Sequence, residues 1–181
     1  MILHLESQFF ALWTLSGLVY TAPFAAPLSY CGLGLLLVLN RLETPGSETW
    51  SAWVVFLGLG GFGGNLALSL ADHAQNGFFE ASEWIPVASS AVAIGFLLVA
   101  LWERTSAFLK LTLGVLAAQA CVGVLGFVLH GLSIARGPAE SLWGNVVHGA
   151  PVFAPLLFAN LALLSGLGVW TLLGAAPAQE G

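Results

Sequence analysis

The chain has 181 residues, of which 58% are hydrophobic and only 7% charged. Soluble domains carry about 25% charged residues, so an ordinary soluble domain is excluded. A net charge of −5 with only 4 Lys+Arg argues against nucleic acid and against a polybasic lipid-headgroup site. What remains is an all-α, polytopic membrane helix bundle, forming a single integral membrane domain over residues 1–181.

The opening MILHLESQFF has no positively charged n-region and contains Glu6, unlike a cleaved signal peptide. Stretch 8–40 is too long for one straight crossing and too short for two full ones, because a span needs about 20 apolar residues. Pro23 and Pro27 interrupt it. The reading is an interfacial or kinked helix up to about Tyr20, then a span over 22–40. Two short crossings are the alternative. Further spans are expected at 50–71, 84–102, 108–132 and 145–173, about five in all. No internal repeat is visible.

Arg41 follows the first span, and Arg104 and Lys110 follow the third; the loops on the opposite side hold only Arg136. The positive-inside bias therefore puts Arg41, Arg104, Lys110 and the C-terminus in the cytoplasm of a bacterial cell, with the chain multi-pass in the inner membrane. Trp50, Trp53, Trp84, Trp102 and Trp143 flank spans as interfacial anchors should. Cys31 and Cys121 sit inside apolar runs with no metal or redox spacing, and read as buried small hydrophobes.

The second span carries two stripes at helical spacing. Gly60, Gly64, Ala67 and Ala71 form a small-residue face, whose Gly60–Gly64 step would admit another helix. Asn65, Ser69, His73 and Asn76 form a polar row, bordered by Asp72. Polar groups facing lipid are costly, so this row should face the bundle interior or a cavity. For Asn65 and Ser69 the competing reading is hydrogen-bond glue between helices.

The following loop holds Glu80 and Glu83. Phe78, Phe79 and Trp84 suggest that it folds back on the bilayer surface; Ser82 can cap the third span, and Pro86 falls in its first turn. In the fourth span Gln119, Gly123, Gly126 and His130 share a face. Two glycines before a histidine make a flat trough, as a macrocycle reaching an axial ligand needs. The alternative is that Gly123 and Gly126 simply admit a neighbouring helix. The fifth span opens with WGNVVHGAPVFAP, placing Asn145, His148, Gly149 and Val152 on one face. Pro151 and Pro155 each free a carbonyl one turn earlier, which predicts a kinked entry.

All four histidines fall on one predicted side: His4, if stretch 8–40 crosses once, with His73, His130 and His148. Histidine ligates metals and haem and titrates near neutrality, so the cluster is the best functional clue in the sequence. His73, His130 and His148 are candidate cofactor or metal ligands; Gly123 and Gly126 would shape the pocket, and Asp72 is a second metal-site candidate or an orienting carboxylate. His4 is the least secure member. The expected cofactor is a b-type haem, with (bacterio)chlorophyll, quinone, copper or iron as alternatives, or none. No HxxxH, ExxH or HExxH spacing supports a metal specifically.

The resulting expectation is an integral membrane subunit of an electron-transfer complex, in contact with lipid and other subunits. It is more a non-catalytic subunit or carrier than a stand-alone enzyme. A cofactor-free structural or assembly subunit is the alternative. A small transporter or metal permease ranks third, because the charges lie at span ends rather than near the midplane.

Overall fold

The computed structural model describes residues 28–75, 77–78, 80–139, 141–148 and 151–175. Stretch 8–27 and His4 lie outside the described residues, and with them the choice between one crossing and two. The described elements are α1 (Leu28–Leu42), α2 (Glu48–Gln75), a 3-10 turn (Ala81–Glu83), α3 (Trp84–Ala100), α4 (Ser106–Ala135), the short α5 (Leu142–His148) and α6 (Leu156–Ala175). Four of these helices, α2, α3, α4 and α6, are long and apolar enough to cross a membrane; α1 is shorter. The described residues form an all-helical membrane bundle. At 1.5 Å per residue, the 30-residue α4 is about 45 Å long and outreaches a hydrocarbon core of about 30 Å.

Successive helices run antiparallel, so the chain has two ends of the bundle. The α1–α2 and α3–α4 turns share one end, where the Arg104 guanidinium meets the Glu48 carboxylate. The foot of α6 joins them, because the Ser51 and Thr171 hydroxyls are in contact. The α2–α3 loop, α5 and the entry of α6 form the other end.

The core is where α2, α3, α4 and α6 meet. Val55, Phe62, Leu97, Leu109, Leu116, Phe158 and Val169 are buried together. Their packing depends on close approach of α6. A Cβ at Gly168 would lie 2.9 Å from the Ser51 carbonyl oxygen, and one at Gly61 would lie 2.3 Å from Leu161 Cδ2. The close-packing face of α2 is therefore Gly58 and Gly61 rather than Gly60 and Gly64. A Cβ at either Gly60 or Gly64 would meet nothing within 4 Å. Ala71 alone of that stripe is buried with the core residues. Spacing identified a small-residue stripe, but two adjacent glycine registers (58/61 and 60/64) compete on this helix and packing selects the other one.

Two further expectations change. Cys31 and Cys121 are exposed, not buried. In a bilayer the outer surface is apolar too, so an apolar run does not imply an inward face. Trp50 turns inward, 6% exposed, while Trp53, Trp84, Trp102 and Trp143 stay on the surface. The expected fifth span 145–173 is divided. Helix α5 ends at His148 and α6 starts at Leu156. Between them Ala154 N bonds Pro151 O at 3.1 Å and Leu156 N bonds Phe153 O at 3.1 Å, a tight i→i+3 pattern. Two prolines four apart remove consecutive α-type bonds, so the chain breaks where a kink was expected.

Candidate functional site

The polar row of α2 is the foundation. Asn65, Ser69 and His73 follow at four-residue steps, and Asp72 stands beside them. All four line a single cleft of about 570 Å³ at the α5 end of the bundle. Gly126 and His130 of α4 line it as well, with Pro151, Pro155 and Asn160 on the α6 side. Leu68, Leu125, Leu129 and Phe153 belong to its wall and are themselves exposed on the bundle surface, so the cleft has an apolar rim. Size and character suit a small organic ligand: such pockets run about 300–1,000 Å³, mostly apolar with a few polar groups.

The end of α2 fixes His73. Gly77, at φ +74°, closes the helix: its N–H bonds Ala74 O at 3.0 Å, and Phe78 N bonds His73 O at 3.2 Å. This is a Schellman termination, and the residue after Gly77 packs back on the last turn. The Phe78 ring centroid lies 6.2 Å from that of His73 and stacks on Trp84 at 4.0 Å. The loop thus folds back on the last turn of α2, while Phe79 lies outside the described residues. In doing so it carries Glu83 to His73, with Oε2 3.7 Å from Nδ1. Both side chains are mostly buried, 17% and 12% exposed, and among the described residues Glu83 Oε2 accepts no hydrogen bond. Ser82 does not cap α3. The 3-10 turn takes its place, and the N-cap is Glu83 without a side-chain cap bond. Pro86 lies in the first turn of α3, as expected.

His130 is fixed from the other wall. Its Nδ1 lies 3.1 Å from the carbonyl oxygen of Pro151. A carbonyl only accepts, so Nδ1 carries a proton here, and a ring with one proton keeps its lone pair on Nε2. That carbonyl also accepts the Ala154 N–H at 3.1 Å, and Pro155, one turn on, has no N–H to add. The broken entry of α6 thus shares one acceptor between its own tight turn and the histidine.

The cleft brings together His73, His130, Asp72 and Gly126. Gly123 lies deeper. A Cβ there would sit 2.9 Å from Pro155 O, 3.0 Å from Ala159 N and 3.2 Å from Phe158 Cβ. At Gly126 a Cβ would meet Pro155 Cβ at 2.6 Å. The glycines admit the entry of α6, and the flat trough that a macrocycle would need beside them is filled by protein. His148 ends α5, and its side chain lies outside the described residues. Among the described residues no group of three or more His, Cys, Asp or Glu side chains is close enough together to hold a metal. Asn145, expected on the His148 face, is spent on structure: its Oδ1 accepts Ala139 N–H at 2.9 Å and its Nδ2 donates to Gly137 O at 3.2 Å. Sequence reasoning named Glu83 only as one acid among several. The folded-back loop, which rests on Gly77 and Phe78, is what brings it to His73.

Comparison of the chain with protein-family models, with characterised proteins and with solved structures gives no match.

Proposed function

We propose that the chain is an integral subunit of a membrane electron-transfer complex, and that its cleft receives the head of a quinone-class carrier from the bilayer. One observation carries this reading: an apolar-rimmed cleft holds a polar row on one wall and His130 on the other. The imidazole of His130 is turned by Pro151 O so that Nε2 stays available. A quinone head needs these parts: apolar walls for ring and tail, and donors and acceptors for two oxygens. His73, His130 and Asp72 are groups able to exchange protons with such a head. The Lys/Arg bias puts this end of the bundle on the periplasmic side of a bacterial inner membrane, with the C-terminus cytoplasmic.

A b-type haem held by His73 and His130 is the second reading. It is favoured by the anchoring of His130 through Nδ1, an arrangement common behind ligating histidines. It is disfavoured by the protein that fills the space beside Gly123 and Gly126. Such a haem would supply one-electron chemistry, and His73 and His130 would be the residues to hold it.

The test is gentle purification in membrane-derived nanodiscs, followed by solvent extraction with mass spectrometry, oxidised and reduced spectra, and metal analysis. Stoichiometric quinone without a Soret band supports the proposal. A Soret band that shifts on reduction establishes the haem reading. A colourless, quinone-free and metal-free protein leaves the structural-subunit alternative.

A further inference from the structure

We infer that Asn65 is the hydrogen-bond donor that recognises a ring oxygen at the floor of the cleft, so the ligand must enter with a carbonyl-type acceptor leading. This rests on the quinone reading above and specifies it. Asn65 is 7% exposed, lines the cleft, and its Nδ2 has no hydrogen-bond partner among the described residues. If it were glue between helices, the amide would bond α4 or α6. Facing it from α4 and α6, the cleft is lined by the apolar Val122, Leu125, Leu157 and Phe158 and by one amide, Asn160, to which Asn65 Nδ2 does not bond. A buried donor without a partner is expensive, more so inside a membrane bundle, and a polar site of this kind strongly discriminates between ligands that pair with it and ligands that do not.

The geometry limits what can pair with it. Asn65 and Ser69 are one turn apart on the same face, about 6 Å along the axis. One ring oxygen can accept from the Asn65 amide, and Ser69, one turn nearer the α5 end, lines the same cleft with a hydroxyl. His73 is about 12 Å from Asn65 along α2 and lines the α5 end of the same cleft.

The experiment uses the full chain in nanodiscs with a short-tailed benzoquinone carrying 13C at its carbonyls. In the wild type, infrared difference spectra should show one carbonyl stretch lowered relative to the free quinone. Asn65→Leu should abolish that shift and weaken quinone binding about tenfold, the loss of one buried hydrogen bond. Asn65→Ser, which keeps a donor, should retain part of both. An alkylbenzene with the same tail should bind wild type and Asn65→Leu equally. Without ligand, Asn65→Leu should raise the thermal midpoint by about 2–4 °C, because it removes an unpaired polar group; a glue residue would lower it. Equal quinone affinity and an unchanged carbonyl spectrum in Asn65→Leu would overturn the inference and leave the quinone reading standing. A wild type that binds no quinone overturns both.

Discussion

The Nδ1 atom of His130 lies 3.1 Å from the carbonyl oxygen of Pro151, which also accepts the Ala154 N–H at 3.1 Å. Pro155, one turn after that carbonyl, has no N–H to add, which leaves the second lone pair to the histidine. Pro155→Ala would restore an N–H one turn after that carbonyl and make it compete for the same oxygen. The expected outcome is a His130 15N spectrum that moves away from a single Nδ1–H tautomer. Quinone affinity should fall about two- to tenfold, the value of one ordinary hydrogen bond. An unchanged tautomer would show that His130 is held by something else.

Glycine substitutions should sort by register rather than by motif. A Cβ at Gly123 or Gly168 would strike backbone atoms at 2.9 Å, which cannot rotate away. Gly123→Ala and Gly168→Ala should each destabilise by about 1–3 kcal/mol through overpacking. Gly60→Ala and Gly64→Ala meet nothing within 4 Å. They should be neutral or stabilising by up to about 1 kcal/mol, the helix-propensity gain. Thermal unfolding of the four variants in one detergent checks this. Severe destabilisation by Gly60→Ala would show that this face packs against something outside the described residues.

The pair His73 and Glu83 should be coupled but weakly. At 3.7 Å, Nδ1 and Oε2 are too far apart for a hydrogen bond, and what remains is electrostatic attraction between two mostly buried groups. A double-mutant cycle with His73→Ala and Glu83→Ala should give a coupling of about 1 kcal/mol in the ligand-free protein, low in the range for contacting residues. If the cleft ligand hands a proton to His73, coupling should rise when a quinol is bound, because imidazolium then faces carboxylate. Coupling that ignores the bound quinol would remove His73 from the proton path.

The membrane bundle was readable from composition and span lengths because the bilayer demands long apolar helices and admits little else. The polar row of α2 was readable too: Asn65, Ser69 and His73 keep strict four-residue spacing and line one cleft. The facing partner of α2 was not readable. Gly58 and Gly61 compete with Gly60 and Gly64 on neighbouring faces, and only the path of α6 decides between them. Glu83 was hidden for a similar reason. Its approach to His73 requires the turn at Gly77 and the stack of Phe78 on Trp84, both settled after α2 and α3 pair. The break at Pro151 and Pro155 was visible as a perturbation, but its size depended on where α4 accommodates it.

The last prediction concerns how α1 is held. Trp50 sits 6% exposed at the start of α2, packed with Leu39 and Val54. Its indole N–H donates to Asn40 Oδ1 at 2.6 Å, tying the end of α1 to the next helix across the turn at Gly46. Asn40→Leu leaves the buried donor unpaired and should cost about 1–3 kcal/mol. Trp50→Phe removes the donor as well as some packing. Combined with Asn40→Leu it should therefore cost less than the sum of the two single changes, by about 1 kcal/mol or more. Unfolding of the single and double variants measures that coupling, and limited proteolysis in the 43–47 turn reports whether α1 has come loose. Strict additivity would mean that Trp50 anchors α1 by packing alone.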